Sequence, residues 1–492
     1  MRNKGKSECM RGNQAATLFS TLLVFIAIFP LTTFHVTGQH SQQAAKLDQY
    51  LQAMMKKSNI PGFSIAVVTK DSVIFMKGYG VSSDGQPATE KTPYAIASLS
   101  KAFTALSVMQ LVASQKIGLD APAASYLPGL TLDDPRYSKM TVNHLLHQTS
   151  GFNDEVFPEM SFSQEPSSLN AAMARMQHVR LGDDPGKRYR YHNPNYQLLA
   201  KIIENVAQQP FPDYLKQHIF QPLGMENTTD VALTNLLRNT SHFQNGHIFA
   251  FGIPIQAREP DWFVEGAAGV VSNVADMSTW LRLQLNHGRW DGTVLLDSTH
   301  LRAMHTAPKT SRYGMGWFIN EDKTISHNGI LWTYSSEQMI TANGYGIVML
   351  FNSGFNPFED YHTFIQGVAD ILNNKTPEIP IFPGWFFPLL AGCLIVLAIV
   401  VAVRRLLRVN QWRKNIMYRP KWRTVLLMFA RTIPIILFLS IPLLFTALSG
   451  RVLNWKRIFL VAPDLVTGLA IIALLHAMIL ASRMYFLMKF RK

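Results

Sequence analysis

Tyr94-Ala95-Ile96-Ala97-Ser98-Leu99-Ser100-Lys101 runs directly into a segment whose apolar residues Phe103, Leu106, Met109 and Leu111 recur at helical spacing. Ser98 therefore sits where a helix begins. Lys101 follows three residues later, one turn on and on the same face. The positive end of the helix dipole disfavours an ammonium there and burial disfavours it further, so Lys101 is expected well below its ordinary pKa of about 10.4 and able to act as a base. A serine needs such a base to become a nucleophile. The tetrapeptide alone is a weak signal in 492 residues, because an ordinary helix cap with a surface lysine gives the same letters.

Working outward, two further stretches carry chemistry. Tyr191-His192-Asn193 lies between Pro185-Gly186 and Pro194, and extended backbone before a proline puts Tyr191 and Asn193 on one side and His192 on the other. A phenol so placed can relay a proton to a leaving group, and an amide can hold both Lys101 and the substrate. His327-Asn328-Gly329 follows the strand-like Thr324-Ile325-Ser326, and a glycine in a strand commonly marks close approach by another backbone or a ligand. Taken singly, each is as easily a polar loop or a packed histidine.

The three occur in the order Ser-x-x-Lys, Tyr-x-Asn, His-x-Gly, and together they resemble the serine beta-lactamase-related group of class C beta-lactamases, low-molecular-weight DD-peptidases, esterases and D-aminopeptidases. The resemblance covers about residues 44–375 and includes Thr141-Val142-Asn143-His144-Leu145-Leu146-His147-Gln148-Thr149-Ser150-Gly151, Ile219-Phe220-Gln221-Pro222-Leu223-Gly224-Met225 and Ala268-Gly269-Val270-Val271-Ser272. It implies an α/β (α+β) fold in which an antiparallel sheet is flanked by helices and joined to a helical subdomain, with the site in the crevice between them. It also implies that Ser98 is acylated, that Lys101 and Tyr191 share the proton transfers, that Asn193 orients them, and that the backbone amides of Ser98 and Ile330 form the oxyanion hole. No metal or organic cofactor is implied.

The chain departs from the family at its third motif, where many members have Lys-Thr-Gly or Lys-Ser-Gly and this one has His327, Asn328 and Gly329 in the substrate-binding position. An imidazole that is mostly neutral at pH 7 replaces a fixed ammonium, and the hydroxyl donor is gone. Poor beta-lactam hydrolysis follows, with better action on esters or D-amino-acid amides. Carboxylate binding through protonated His327 is expected to strengthen below about pH 6.5, and replacement of His327-Asn328 by Lys-Thr to raise acylation by penicillin. No separate acid is assignable to a deacylating water.

Local patterns support the fold. Phe63 to Val68 and Val73 to Tyr79 flank Thr69-Lys70-Asp71, a hairpin pattern, and Gln338 to Thr341 and Tyr345 to Phe351 flank Asn343-Gly344. Strands from both ends of one region are expected to pair in a single antiparallel sheet. Helical periodicity runs over Lys101 to Ala113, Asn195 to Ala207 and Val274 to Leu285.

The ends of the chain differ in character. Basic residues from Met1 to Arg11, the apolar run Ala15 to Phe29 and Val36-Thr37-Gly38 make residues 1–38 a signal peptide or an N-terminal signal anchor. Residues 380–492 form a membrane domain with three spans, at about 382–403, 430–450 and 458–482. Arg404 to Arg423 holds eight Lys and Arg and no acid, which puts that loop inside and the catalytic domain outside. The net charge of +14 comes from these ends: residues 39–380 carry 26 basic and 30 acidic side chains, which argues against nucleic acid as a partner. The two cysteines, Cys9 and Cys393, form no disulfide framework or zinc site. The expectation is a multi-pass cell-membrane protein that acts on a small-molecule or cell-wall acyl substrate. The competing functions are a non-hydrolytic penicillin or cell-wall sensor and a catalytically dead binding module.

Overall fold

In the computed structural model, residues 38–240, 243–416, 418 and 420–489 are described. The basic stretch and apolar run read as a secretory signal lie outside them. Helix α1 (Gly38–Lys57) leads into strands β1 (Gly62–Val68) and β2 (Val73–Gly80), and the later strands are β3 (Phe318–Ile319), β4 (Ile325–Ile330), β5 (Ser335–Ile340) and β6 (Gly346–Phe351). Their order in the sheet is β3-β4-β5-β6-β1-β2, with every neighbour antiparallel. The two ends of the sheet-forming region thus meet where β1 pairs with β6, Phe63 opposite Phe351. At the Asn343-Gly344 hairpin, Gly344 takes the left-handed conformation (φ +87°) that the turn needs.

β1 is buried along its whole length because both faces of the sheet are covered, which is why its sequence is a continuous apolar run and not an alternation. Phe63, Ile65 and Val67 face Leu47, Leu51 and Met54 of α1 and Phe364, Ile365 and Val368 of α5 (Tyr361–Leu372). Ala66 and Val68 face the larger core, which includes Trp280 and Leu281 of α4 (Val274–Leu285). The helical part of that core is built around α2 (Ser100–Ala113) and α3 (Asn193–Ala207), which pack on each other. A separate short sheet pairs Val270–Ser272 with Tyr94–Ala95 on one side and Thr229–Asp230 on the other.

Among the described residues, three helices are long and apolar enough to cross a bilayer: α6 (Phe386–Leu407), α7 (Lys421–Leu439) and α8 (Pro463–Lys489). α8 packs against both others. Their bounds differ from the sequence reading in two places. The second helix starts at Lys421 and not near residue 430, because Trp422 to Phe429 continue a helical apolar face past the basic side chains, and it breaks at Ser440 between Pro434 and Pro442. The third stretch splits at Ala462 into Trp455–Val461 and α8, since Pro463 begins a new helix.

Candidate active site

The Ser98 turn is held from three sides. Ala97 adopts a left-handed backbone (φ +48°), a strained state for a residue with a Cβ, just before Ser98. Ile96 donates to the carbonyl of Val270 at 3.0 Å, Val270 donates to Ser100 Oγ at 3.0 Å, and Ser336 Oγ of β5 donates to the Ile96 carbonyl at 2.7 Å. β4 passes so close that a Cβ on Gly329 would lie 2.5 Å from the Ile96 carbonyl and 2.3 Å from Ser336 Oγ. That close approach is the one expected of the His-x-Gly glycine. Ser98 itself sits in a short 3-10 turn, Ala97–Leu99, that feeds into α2.

Lys101 is fully buried. Its Nζ donates to Ser98 Oγ at 3.1 Å, Asn193 Oδ1 at 2.9 Å and the Ala267 carbonyl at 2.8 Å, and it lies 4.8 Å from the centre of the Tyr191 ring. Every direct acceptor is neutral. Burial therefore drives its pKa well below the ordinary value, the Arg451 charge lowers it further, and Glu159 opposes. Burial likewise raises the Tyr191 phenol, against a hydrogen bond with Ser98 that lowers it.

Tyr191 and Asn193 are set by the Thr141–Gly151 stretch. Gln148 Oε1 accepts from the His192 amide at 3.0 Å and from Asn195 Nδ2 at 2.6 Å, and Ser150 Oγ donates to Asn195 Oδ1 at 2.6 Å. His192 is extended (φ −146°) and turns the other way, fully buried, its Nε2 2.9 Å from the Phe157 carbonyl. Ser98, Tyr191, Asn193, Asn328 and Ile330 line one cavity of about 620 Å³. Lys101, bonded to Ser98, and Gly329 are buried behind the lining.

His327 does not face that cavity. It is 2% exposed, with Nε2 3.1 Å from Tyr313 Oη. Burial, then the Lys101 charge, push its pKa down to about 3. The expected strengthening of carboxylate binding below about pH 6.5 is corrected accordingly: the ring stays neutral far below that pH.

Three charged residues at the cleft went unseen in the sequence. Glu159, 4% exposed, accepts from Asn193 Nδ2 at 2.8 Å and from Trp262 Nε1 at 3.0 Å. Asp154 also lines the cavity, its pKa raised to about 6 chiefly by burial. Two carboxylates thus stand at the site, although no role toward a deacylating water is assigned to either. The third is Arg451, from the short link between the helices Ile441–Ser449 and Trp455–Val461. A faint signal existed: Asp154, Glu155 and Glu159 crowd directly after Gly151, and Arg451 stands at the end of an apolar run opposite to the basic loop.

The Beta-lactamase family pattern matches residues 47–369, and the chain belongs to that family. Among relatives, "Protein flp" of Staphylococcus aureus (strain MW2) is 28% identical over 387 residues, spanning 75% of this chain and 76% of that protein. A "Putative D-alanyl-D-alanine carboxypeptidase" of Salmonella paratyphi A is 26% identical over 422 residues, spanning 73% and 96%. Two solved structures share the fold at a TM-score of 0.58. One is an octameric penicillin-binding protein homologue from Pyrococcus abyssi, with 24% identity over 68% of this chain and 78% of that one. The other is EstCE1, described as a hydrolase with promiscuous acyltransferase activity, with 19% identity over 68% and 100%.

Proposed function

We propose that this protein is a membrane-anchored serine hydrolase whose domain faces outward and whose acyl-enzyme forms on Ser98. The observation that carries the proposal is the buried Lys101 ammonium nitrogen 3.1 Å from Ser98 Oγ among neutral acceptors, where its neutral form is favoured. In this reading Lys101 takes the Ser98 proton as the hydroxyl attacks an acyl carbon. Tyr191, protonated and beside Ser98, passes a proton to the leaving group. Asn193 holds Lys101, and the backbone amides of Ser98 and Ile330 receive the oxyanion. Water then releases the acyl group.

The substrate class that fits is a cell-wall D-amino-acid peptide, ester or amide, with weak beta-lactam activity. A neutral, inward-facing His327 and an exposed Asn328 offer no fixed charge for a ring carboxylate, and the absence of a charge-assisted hydrogen bond there costs about 1.5 to 3 kcal/mol, or roughly ten- to hundred-fold in rate. The carboxypeptidase named among the relatives supports the same class. The eight basic residues of Arg404 to Arg423 support the outward placement. The test is intact-mass analysis of the full chain in detergent after exposure to a penicillin, a D-alanyl-D-alanine peptide and a panel of esters. An adduct on Ser98 that turns over fastest with esters or amides is expected. An adduct on another residue sinks the assignment.

A further inference from the structure

The stretch between α7 and α8 lines the cavity of Ser98 with Thr446 and Ser449 of the helix Ile441–Ser449 and with Gly450, Arg451 and Val452, which follow it. Arg451 reaches inward from it. Nη2 donates to Glu159 Oε1 at 2.6 Å, Nη1 donates to the Tyr191 carbonyl at 3.2 Å, and Nε lies 3.2 Å from Asp154 Oδ2. The Val452 amide donates to the same Asp154 oxygen at 2.8 Å. Glu159 Oε1 in turn accepts from Asn193 Nδ2, whose Oδ1 accepts from Lys101. A path of hydrogen bonds, the two that reach Glu159 charge-assisted, thus joins Arg451 to Ser98 through Glu159, Asn193 and Lys101. An ionised carboxylate only accepts, so Glu159 turns the NH2 of Asn193 toward itself and leaves the amide oxygen for Lys101.

We propose that Arg451, carried by the segment between α7 and α8, is a positioning residue of the active site that fixes Glu159 and the Tyr191 backbone and, through Glu159 and Asn193, the place of Lys101, a role that rests on the acyl-enzyme reading above. Lys101 faces Ser98, Asn193, Tyr191, Tyr196 and the Ala267 carbonyl, with His327 near enough for its ring to feel the Lys101 charge. His192 and Asp154 lie on the far side of Asn193, 3.4 Å from each other. His192 and His327 are neutral, with pKa values near 3. Glu159 is therefore the charge that favours an ammonium at Lys101, and Arg451 the charge that opposes it. Without the guanidinium, Glu159 acts uncompensated and the Lys101 pKa rises. A base that must be neutral then becomes available only at higher pH.

The experiment uses the full chain in detergent micelles and follows labelling of Ser98 by a neutral fluorophosphonate from pH 5.5 to 9.5, with a melting curve for each variant. Arg451→Met is expected to move the limb on which labelling rises with pH about one unit to the alkaline side, close to tenfold slower at neutral pH, with rates converging on the unaltered protein at high pH. Arg451→Lys keeps the charge without the two-pronged contact to Glu159 and Tyr191, and is expected to shift the same limb by less. Should the methionine variant fail to fold, the lysine variant reads the same limb. An unmoved limb, or a loss equal at every pH, overturns the role of Arg451 while leaving the acyl-enzyme intact. Labelling of Ser98→Ala at the unaltered rate overturns the acyl-enzyme reading itself, and the role of Arg451 falls with it.

Discussion

Lys101, on the floor beneath Ser98, is sealed among neutral groups, whereas Arg451 and Arg457, on the wall supplied by residues 440–462, are each matched to buried or largely buried carboxylates. Lys101 donates to a hydroxyl, an amide oxygen and a carbonyl. Arg451 pairs with Glu159 and Asp154, and Arg457, 3% exposed, pairs with Glu165 at 2.5 Å while it lies over the Trp332 ring at 5.1 Å. A lysine denied a counter-charge gives up its proton, and that is how a base is made. A guanidinium cannot do so within the working range, and so it serves as a fixed cation. On the proposed mechanism, the difference in partners assigns chemistry to the floor and construction to the wall.

The comparison is broken most forcefully at Lys101. Lys101→Met keeps an unbranched side chain in the same volume but removes the base, so Ser98 labelling should fall about 10²- to 10⁴-fold with little change in melting temperature. Fluorophosphonate labelling kinetics and a melting curve measured together decide it. A fall of less than about tenfold would mean that some other group takes the Ser98 proton.

The wall should respond in the opposite sense. Arg457→Met leaves Glu165, which is largely buried, without its cation, and also removes the donor to the Met160 carbonyl at 2.7 Å. Breaking a buried pair from one side costs about 3 to 5 kcal/mol, so the melting temperature should drop clearly while labelling of the folded fraction changes only a few-fold. Chemical denaturation of the full chain in detergent gives the first quantity and active-site titration the second. If labelling collapsed as it does for Lys101→Met, the division between floor and wall would not hold.

That division also marks what could be read from the letters alone. Ser98, Lys101, Tyr191 and Asn193 announce themselves because each belongs to a short motif tied to a helix start or a proline, and the sheet announces itself through the two hairpins. Gly329 was legible too, as a residue that only a close approach explains. Glu159, Asp154 and Arg451 were not, since their meaning comes from a contact across 292 residues in the case of Glu159 and Arg451, and no periodicity or spacing encodes such a pairing. The orientation of His327 was missed for a related reason: a strand alternates its faces, but which face meets Tyr313 and which the cavity depends on how β4 packs on the Ser98 turn.

The smallest effect expected concerns that histidine, and it is the sharpest test of how dry the floor is. His327 has its pKa pushed down to about 3, first by burial and then by Lys101, so between pH 5.5 and 8 it neither gains nor loses a proton. Acylation by penicillin over this range should have the same shape for His327→Gln as for the unaltered protein, measured as the rate of adduct formation by intact mass. An increase below pH 6.5 that vanished in the variant would show that the ring does charge and meets the substrate carboxylate. Stability carries the sign of the same shift. A histidine whose folded pKa lies below its unfolded value of about 6.5 contributes stability that is complete above that pH and declines as pH falls toward 3. At pH 5.5 the loss is on the order of 1 kcal/mol for His327, and about the same for His192, whose pKa also lies near 3. Acid should therefore loosen the fold around the floor before it ever places a charge on His327.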